Sequence, residues 1–341
     1  MSVRTRIWSL GAPLVLAMMV VTIAAGVNKF ASPPGGLQLA HVERDAYKSP
    51  EIHVGGPEYP REAFDSDGVR VEIPHPATRI ISQSRSIEEN LYSIVPPEHV
   101  VGVSASAYET STSDVYPYVQ RYHPAVASDL ERSLRLNPDL IIVSSSGRAD
   151  MSSLLRSTGV PVYRMFTMFT TLDQVAESIR LTGYLTGEDE AAKALDLSFR
   201  AELDRAFAMR PARAGKPRIL AMSMGIVYGR QTLFNDIVEK LGGVNVGAEG
   251  GLEGYDEISN ETVLKWNPEW IVTGADPGHA DEVRAGLMAD PAIALTKAAR
   301  DGHILIFDNR VFLPVSPYSA KFVTQLAQAL YGEAHPSGSG L

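Results

Sequence analysis

Two stretches of the chain repeat each other, and this repeat limits the possible folds more than any other feature. Residues 131–143 read ERSLRLNPDLIIV and residues 261–273 read ETVLKWNPEWIVT, with Glu, Leu, Asn and Pro at identical spacing. In each copy a short helix is predicted to end at Asn-Pro, because a residue before proline is disfavoured in the helical conformation. Upstream, RIIS at residues 79–82 and RILA at residues 218–221 occupy matching places. The repeat predicts two similar lobes, which implies a cleft between them.

Short apolar runs alternate with amphipathic stretches from residue 69 onward, which is typical of an α/β fold. The runs lack polar alternation, as expected for strands that are buried on both faces of a parallel sheet. The predicted strands are 79–82, 99–103, 140–143, 160–163, 218–222, 270–273 and 304–307. The predicted helices are 86–94, 130–136, 151–157, 232–241, 260–266 and 319–331.

The segment between the two repeats has apolar residues at helical spacing, for example Leu172, Val175 and Ile179. A break is predicted at TGEDE, residues 186–190. We therefore predict an α/β fold with two Rossmann-like lobes, whose mostly parallel sheets lie within residues 69–170 and 213–333. A long helical segment at 171–212 bridges them, and a single stiff connection of this kind permits only modest hinge motion.

The two ends of the chain carry different signals. Arg4 and Arg6 precede an uncharged apolar stretch, so residues 1–26 are predicted to be a signal peptide or an N-terminal anchor. Residues 22–24, TIA, suit cleavage, but about 20 apolar residues also suffice to cross a bilayer uncleaved, and both outcomes stay open. Residues 27–68, with many prolines and glycines, are predicted to be a linker or irregular arm, and 334–341 a flexible tail. The protein is thus expected to be exported.

The composition excludes several classes of function. Thirty-one Lys and Arg against 40 Asp and Glu give a formal net charge of −9, which argues against binding to nucleic acid. The chain has no cysteine, so disulfides, thiolate metal sites and a lipidated cysteine are excluded. Its 8 histidines are scattered, which disfavours a site for a bare metal ion. Motifs for phosphate transfer, dinucleotide binding and ester hydrolysis are missing. We expect no cofactor, no metal site and no catalytic residues.

Several short motifs follow one another in a characteristic order. They are RIISQSRSIEE at 79–89, VVGVS at 100–104, NPDLIIV at 137–143, TGVPV at 158–162, GYLTG at 183–187, DIVEKLGGVN at 236–245, and residues 259–272 of the second repeat. In this order they resemble the class III, helical-backbone periplasmic substrate-binding proteins of ABC importers. Members of that family carry ferric siderophores, haem or cobalamin to a membrane permease.

The resemblance assigns a role to the glutamate of each repeat. In the family, an acidic residue on each lobe meets arginines of the permease dimer, and Glu131 and Glu261 match those positions. Charge-assisted pairs of this kind orient a docking partner. The alternative is that each carboxylate only favours the N-terminus of its own helix, an effect worth about 0.3 to 1 kcal/mol.

Ligand-binding candidates come from the loops after the strands, because open α/β sheets bind ligands at the carboxyl ends of their strands. Arg85 stands where relatives commonly have proline, in the turn Ser84-Arg85-Ser86, and its guanidinium suits an anionic group. Aromatic and arginine side chains dominate the other loops, where tyrosines offer flat apolar walls with a polar tip. The wider set in the second lobe is Met224, Tyr228, Arg230, Tyr255, Arg310, Phe312 and Tyr318. The residues chosen as ligand-binding are Arg85, Tyr108, Arg148, Tyr228 and Arg310.

These observations predict a periplasmic, extracytoplasmic substrate-binding protein of an ABC importer. Its ligand is expected to be a metal chelate in the cleft between the lobes, with a ferric siderophore or haem favoured and cobalamin next. Contact with the membrane is expected only through the permease or an uncleaved anchor. Two alternatives stay open: a chelatase-like enzyme on the same scaffold, and a membrane-tethered ligand sensor.

Overall fold

The computed structural model describes residues 54–122, 130–147, 149–312 and 314–332. All of these residues belong to one compact unit. The predicted signal peptide or anchor at 1–26, most of the predicted arm, the tail at 334–341 and the candidate Arg148 lie outside the described residues. Among the described residues, no helix is both long enough and apolar enough to span a membrane.

The first regular element is an antiparallel hairpin of β1 (Arg61–Phe64) and β2 (Arg70–Ile73). Strand β1 lies within the range that the sequence predicts as an irregular arm, so the structure differs from that expectation here. The reason is a short alternation of burial: Ala63, Val71 and Ile73 face the core while their neighbours face solvent. Four-residue strands with charged outer faces give too weak a pattern for a sequence prediction.

The first lobe is built on a four-stranded sheet whose neighbouring strands are all parallel. Its order is β4-β3-β5-β6. The strands are β3 (Ile80–Ser82), β4 (Val100–Gly102), β5 (Leu140–Ser144) and β6 (Val162–Met165). The helices are α1 (Arg85–Ile94), α2 (Tyr116–Tyr122), α3 (Leu130–Arg135) and α4 (Ala149–Arg156), and 3-10 turns span Pro97–His99 and Ala105–Tyr108.

The connecting segment forms a hairpin of two helices, α5 (Leu172–Thr186) and α6 (Asp189–Ala208). The break lies where the sequence predicts it, because Gly187 adopts a left-handed conformation with φ 88° and ends α5. The two helices approach closely, since a Cβ on Gly183 would lie 2.3 Å from the Cβ of Ala192. The bridge is therefore a folded pair of helices rather than one extended rod, and it packs against helices of both lobes.

The second lobe holds a mixed sheet in which β7, β9, β11 and β12 run parallel to one another, and β8 pairs antiparallel with both β7 and β10. The strands are β7 (Arg218–Ser223), β8 (Ile226–Tyr228), β9 (Val244–Asn245), β10 (Tyr255–Glu257), β11 (Trp270–Ala275) and β12 (Ile304–Asp308). The helices are α7 (Leu233–Lys240), α8 (Val246–Glu249), α9 (Asn260–Trp266), α10 (Ala280–Ala289), α11 (Pro291–Ala294), α12 (Lys297–Arg300) and α13 (Ser319–Tyr331). The fold-class prediction is confirmed, while the residue limits of the lobes stay a prediction.

The sequence repeat corresponds to a repeated structural device. Asn137 and Asn267 follow their helices with φ values of 46° and 47°, a left-handed conformation that asparagine tolerates better than most residues. Arg79 Nε donates to the carbonyl of Asn137 at 2.9 Å, and Arg218 Nη1 donates to that of Asn267 at 3.0 Å. In both copies an arginine at the start of the first strand thus holds the helix end beside the next strand.

The hairpin of β1 and β2 is anchored by one buried arginine. Arg61 lies between the rings of Tyr59 and Tyr184, with its Cζ 4.7 Å and 4.9 Å from the two ring centroids. Its Nη2 donates to Asp189 at 2.7 Å, and its Nη1 donates to the carbonyl of Tyr184 at 2.8 Å. The hairpin is thereby fixed to the turn between α5 and α6.

We expect Arg61→Ala to lower the free energy of unfolding by about 2 kcal/mol, because it removes a cation packed between two rings and takes a donor away from the buried carbonyl of Tyr184. Arg70→Ala is the matched control, since Arg70 pairs with Glu62 on the surface of the same hairpin and exposed pairs contribute about 1 kcal/mol or less. Urea unfolding measures both variants. Equal losses would show that Arg61 does not anchor the hairpin.

The left-handed conformation of Asn137 gives a second prediction. Asn137→Ala should destabilise the protein by about 1 kcal/mol, since a Cβ without a compensating polar group is disfavoured at positive φ. Asn137→Gly should be neutral or slightly stabilising, because glycine adopts this conformation freely. Thermal unfolding of the two variants compares them directly, and the opposite order would contradict the assignment of this turn.

Candidate functional site

A cavity of about 180 Å³ lies between the two lobes. The first lobe contributes the loop after β6, and the second lobe contributes residues after β8, on β10 and before α13. The lining residues are Thr167, Met168, Phe169, Thr170, Gln231, Tyr255 and Val315. Apolar and aromatic surfaces with a few hydroxyl and amide groups are typical of small-molecule sites. The backbone of Gln231 is strained, with φ 55°, and strained residues concentrate at functional positions.

The carboxyl edge of the first sheet carries paired hydroxyl groups. Strands β4, β3 and β5 are neighbours in the sheet, and a Ser-x-Ser sequence lies at the end of each or just after it. The hydroxyl oxygens are 2.8 Å apart in Ser104 and Ser106, 3.1 Å in Ser84 and Ser86, and 2.6 Å in Ser144 and Ser146. Ser144 also lies 2.5 Å from the hydroxyl of Thr167, which lines the cavity. We call these seven residues the hydroxyl row.

A buried carboxylate lies behind the hydroxyl row. Glu88, in the first turn of α1, is fully buried. Its Oε1 accepts from the backbone N–H of Ser104 at 2.6 Å, and its Oε2 accepts from the Ser104 hydroxyl at 3.0 Å. Burial raises the pKa of the Glu88 carboxyl to about 7, against the opposing effect of its hydrogen bonds from Ser104 and Ser82.

The next residue, Glu89, faces the other lobe. It is 2% exposed, and its Oε1 lies 3.6 Å from Nε of Arg85. Burial raises the pKa of Glu89 to about 7, and the hydroxyl of Ser316 in the second lobe lies within hydrogen-bonding reach and lowers it. The two adjacent carboxyl groups therefore contact different parts of the molecule, because neighbouring residues on a helix point in different directions.

Arg85 and Arg310, predicted from opposite lobes, face the same carboxylate. Burial raises the pKa of Asp114, while Lys321, Arg310 and Arg85 act on it in the opposite direction. Each arginine already has an acidic neighbour on its own lobe: Arg310 donates to both carboxylate oxygens of Asp308, at 2.9 and 2.6 Å, and Arg85 lies beside Glu89. Arg85 and Arg310 are thus already paired with carboxylates of their own lobes.

The two candidate tyrosines lie near different parts of the cleft. Tyr228 packs edge-on against Tyr255, Phe234 and Phe312, with ring centroids 5.1, 6.2 and 6.0 Å apart. Burial raises the pKa of Tyr228 to about 12. Tyr108 lies on the 3-10 turn after β4, near both Glu88 and Arg132. Tyr228 therefore packs behind Tyr255, which lines the cavity, whereas Tyr108 lies near the hydroxyl row.

None of the four described candidates, Arg85, Tyr108, Tyr228 and Arg310, is itself among the residues that line this cavity. Tyr255 does line it and belonged to the wider set from the sequence. The loop at 167–170 was missed, because the sequence placed the end of β6 at residue 163 and the following MFTMFT has no strand or helix pattern. Two phenylalanines and two methionines directly after a buried strand were the available signal.

The two glutamates of the repeat lie on the surface, each in the first turn of its helix. The side chain of Glu131 is 81% exposed, and its Oε1 accepts from Arg135 at 2.7 Å. Glu261 is also exposed, on α9. Within the described ranges, no group of three or more His, Asp or Glu side chains is arranged to hold a metal ion.

Comparison with known proteins connects this architecture to a family. The sequence model of the family described as periplasmic binding protein matches residues 80–311. A curated relative from Halobacterium salinarum, described as a cobalamin-binding protein, is 24% identical over 327 residues, which cover 94% of this chain and 84% of the relative.

Solved structures of similar fold carry related descriptions. The periplasmic heme-binding protein RhuT from Roseiflexus sp. RS-1, in apo form, is 26% identical with a TM-score of 0.64, covering 75% of this chain and 98% of that one. A periplasmic heme-binding protein from Pseudomonas aeruginosa is 24% identical with a TM-score of 0.63, covering 77% and 95%.

The family match spans both sheets, the helical hairpin and most of the described residues. The family is one of binding proteins, and the relatives and solved neighbours are likewise described as binding proteins rather than enzymes. The chain belongs to the periplasmic binding protein family.

Proposed function

We propose that this protein captures a metal-chelate ligand between its two lobes and delivers it to the permease of an ABC importer. The observation that carries the proposal is the cavity to which both lobes contribute, in a chain of this family. Membership of this family implies an extracytoplasmic location. The cavity of about 180 Å³ is smaller than the roughly 300–1,000 Å³ of typical ligand pockets. Side chains or lobes must therefore move apart as the ligand enters.

Among metal chelates, a flat tetrapyrrole such as haem or cobalamin is better supported than a ferric siderophore. Phe169, Met168 and Tyr255 offer apolar surface to the face of a macrocycle. The described relatives bind heme or cobalamin according to their names. The cationic groups favour an anionic ligand less than the sequence suggested, because Arg310 is paired with Asp308 and Arg85 with Glu89. The neutral hydroxyl row suits the neutral amide groups of a corrinoid.

We expect the thermal midpoint of the protein to rise with one tetrapyrrole and with no bare metal ion. A ligand at 100 times its dissociation constant adds about 2.7 kcal/mol to the free energy of unfolding. Melts with hemin, cyanocobalamin, ferric siderophores, iron and cobalt salts, and metal-free protoporphyrin IX measure this. A midpoint unchanged by every chelate would contradict the proposed function, and a shift with a siderophore alone would exclude the tetrapyrrole.

For docking, we propose that Glu131 and Glu261 contact cationic pockets of the two permease subunits. Both are exposed and occupy equivalent places in the two copies of the repeat. The double variant Glu131→Ala, Glu261→Ala should bind the ligand like the unchanged protein but lose ligand uptake in cells or stimulation of the transporter's ATPase by at least about tenfold.

The matched control for docking is the double variant Glu190→Ala, Glu282→Ala. These two glutamates are also exposed and also lie in the first turn of a helix, α6 and α10. If the control loses uptake equally, the effect follows from surface charge alone. If the first pair of substitutions weakens ligand binding, the docking assignment is wrong.

A further inference from the structure

Glu88 is a charged group that no part of the proposed function yet uses. It is fully buried and joins three elements: its own helix α1, the Ser104 turn after β4, and Ser82 at the end of β3. A buried carboxylate is costly unless it is hydrogen-bonded. A wholly apolar residue would fill this place at a lower free-energy cost. The presence of a carboxyl group behind the hydroxyl row therefore indicates a functional role.

The carboxylate dictates which way the neighbouring hydroxyl groups point. An ionised carboxylate only accepts hydrogen bonds, so the Ser104 hydroxyl gives its single hydrogen to Glu88 Oε2, at 3.0 Å. The oxygens of Ser104 and Ser106 lie 2.8 Å apart, and Ser104 can therefore only accept in that contact. Ser106 donates to Ser104, and the remaining lone pairs of the exposed Ser106 are left as acceptors.

The same contact holds the turn on which Tyr108 lies. Ser104 precedes the 3-10 turn Ala105–Tyr108 and makes no capping bond to it through its side chain. Its backbone N–H and its hydroxyl are both bound to Glu88 instead, at 2.6 and 3.0 Å. The carboxylate therefore fixes the start of the turn. It also determines whether the hydroxyl of Ser106 donates or accepts hydrogen bonds.

We propose that Glu88 is a positioning residue for ligand recognition, which orients Ser104 and Ser106 so that the rim of the first lobe accepts hydrogen bonds from donor groups on the ligand. This inference rests on the proposed function, because the rim is taken to face the bound chelate. Amide N–H groups on the edge of a corrinoid macrocycle are donors of the required kind, whereas ionised carboxylates are not.

The arrangement is sensitive to pH near neutrality. Burial raises the pKa of Glu88 to about 7, and the titratable groups that face it are Glu89 and Tyr92 on α1 and Tyr108 on the turn. Arg132 in turn faces Tyr108. Protonation converts one carboxylate oxygen from an acceptor into a donor. The Ser104 hydroxyl then loses its acceptor, and the Ser106 hydroxyl is no longer held as an acceptor for the ligand. Ligand affinity is then lost as the pH falls through about 7.

The variant Glu88→Gln tests this, with Glu89→Gln as the matched control. Glu89 is the adjacent residue, is equally buried and has a similarly raised pKa, but it faces Ser316 rather than the hydroxyl row. The first readout needs no ligand: the chemical shift of the Ser104 amide proton is followed by NMR across the neutral range. It should titrate with a midpoint near 7 in the unchanged protein, and at a lower pH in Glu89→Gln, because that variant loses a like charge beside Glu88; it should not titrate in Glu88→Gln.

The second readout is the affinity for cyanocobalamin and for hemin at about pH 6 and about pH 8, measured by quenching of tryptophan fluorescence. The unchanged protein and Glu89→Gln should bind cyanocobalamin about tenfold more tightly at the higher pH, which is near the upper end of what one neutral hydrogen bond contributes. Glu88→Gln should bind weakly at both. If Glu88→Gln does not fold, Ser104→Ala removes the hydroxyl partner alone and should show the same weak, pH-independent binding.

Two results would overturn the inference while leaving the proposed function intact. One is an amide shift of Ser104 that does not follow Glu88, and the other is binding by Glu88→Gln with the affinity and pH profile of the unchanged protein. Failure of the unchanged protein to bind either probe, or any chelate of the melting panel, is distinguishable from both. That outcome overturns the proposed function and this inference with it.

Discussion

One continuous hydrophobic core runs from the first sheet through the helical hairpin into the second lobe, and the geometry of the cleft depends on it. Ile80 and Leu140 of the first sheet, Ile179 of α5, and Ile219 and Phe322 of the second lobe belong to the same cluster of buried side chains. Separate, smaller clusters cover the outer face of each sheet. Because interiors are packed like organic crystals, such a shared core resists large movements. The lobes can therefore adjust around a ligand only by small displacements.

In contrast to this hydrophobic core, the polar groups of the first lobe are confined to a few positions. The carboxyl ends of neighbouring parallel strands meet at one edge, where serine pairs replace the apolar residues of the strands. Glu88 and Glu89 are adjacent on α1, but Glu88 contacts the hydroxyl row and Glu89 lies at the interface between the lobes. One helix thus carries a group that contacts the hydroxyl row and a group that contacts the second lobe.

The internal repeat explains how much of the fold was predictable. Asn-Pro before an apolar run marks a helix end and a strand start through local backbone sterics alone, and the structure has both, with Asn137 and Asn267 at nearly equal φ. The break after Thr186 was predictable for the same reason, because Gly187 permits the left-handed turn. Strands β1, β2, β8, β9 and β10 were not, since each has only two to four residues, too few for a clear pattern; β10 in addition pairs with a strand far away along the chain. The candidate site was predicted only in part: Tyr255 came from the rule on strand ends, whereas the lining at 167–170 and Gln231 depends on how the lobes meet.

The sequence by itself determined the α/β class, the two lobes, the helical bridge and the places of Glu131 and Glu261, because these follow from periodicity, proline and glycine sterics, and a shared register. The sequence suggested that Arg85 and Arg310 bind anions, but Glu89, one helical turn away, and Asp308, two residues away, already pair with them. Tertiary structure alone decided which carboxyl groups are buried. It buried Glu88 against Ser104, 16 residues along the chain, and Glu89 at the contact with the second lobe. Electrostatic interactions depend on distance and burial in three dimensions, and neither can be read from the order of residues along the chain.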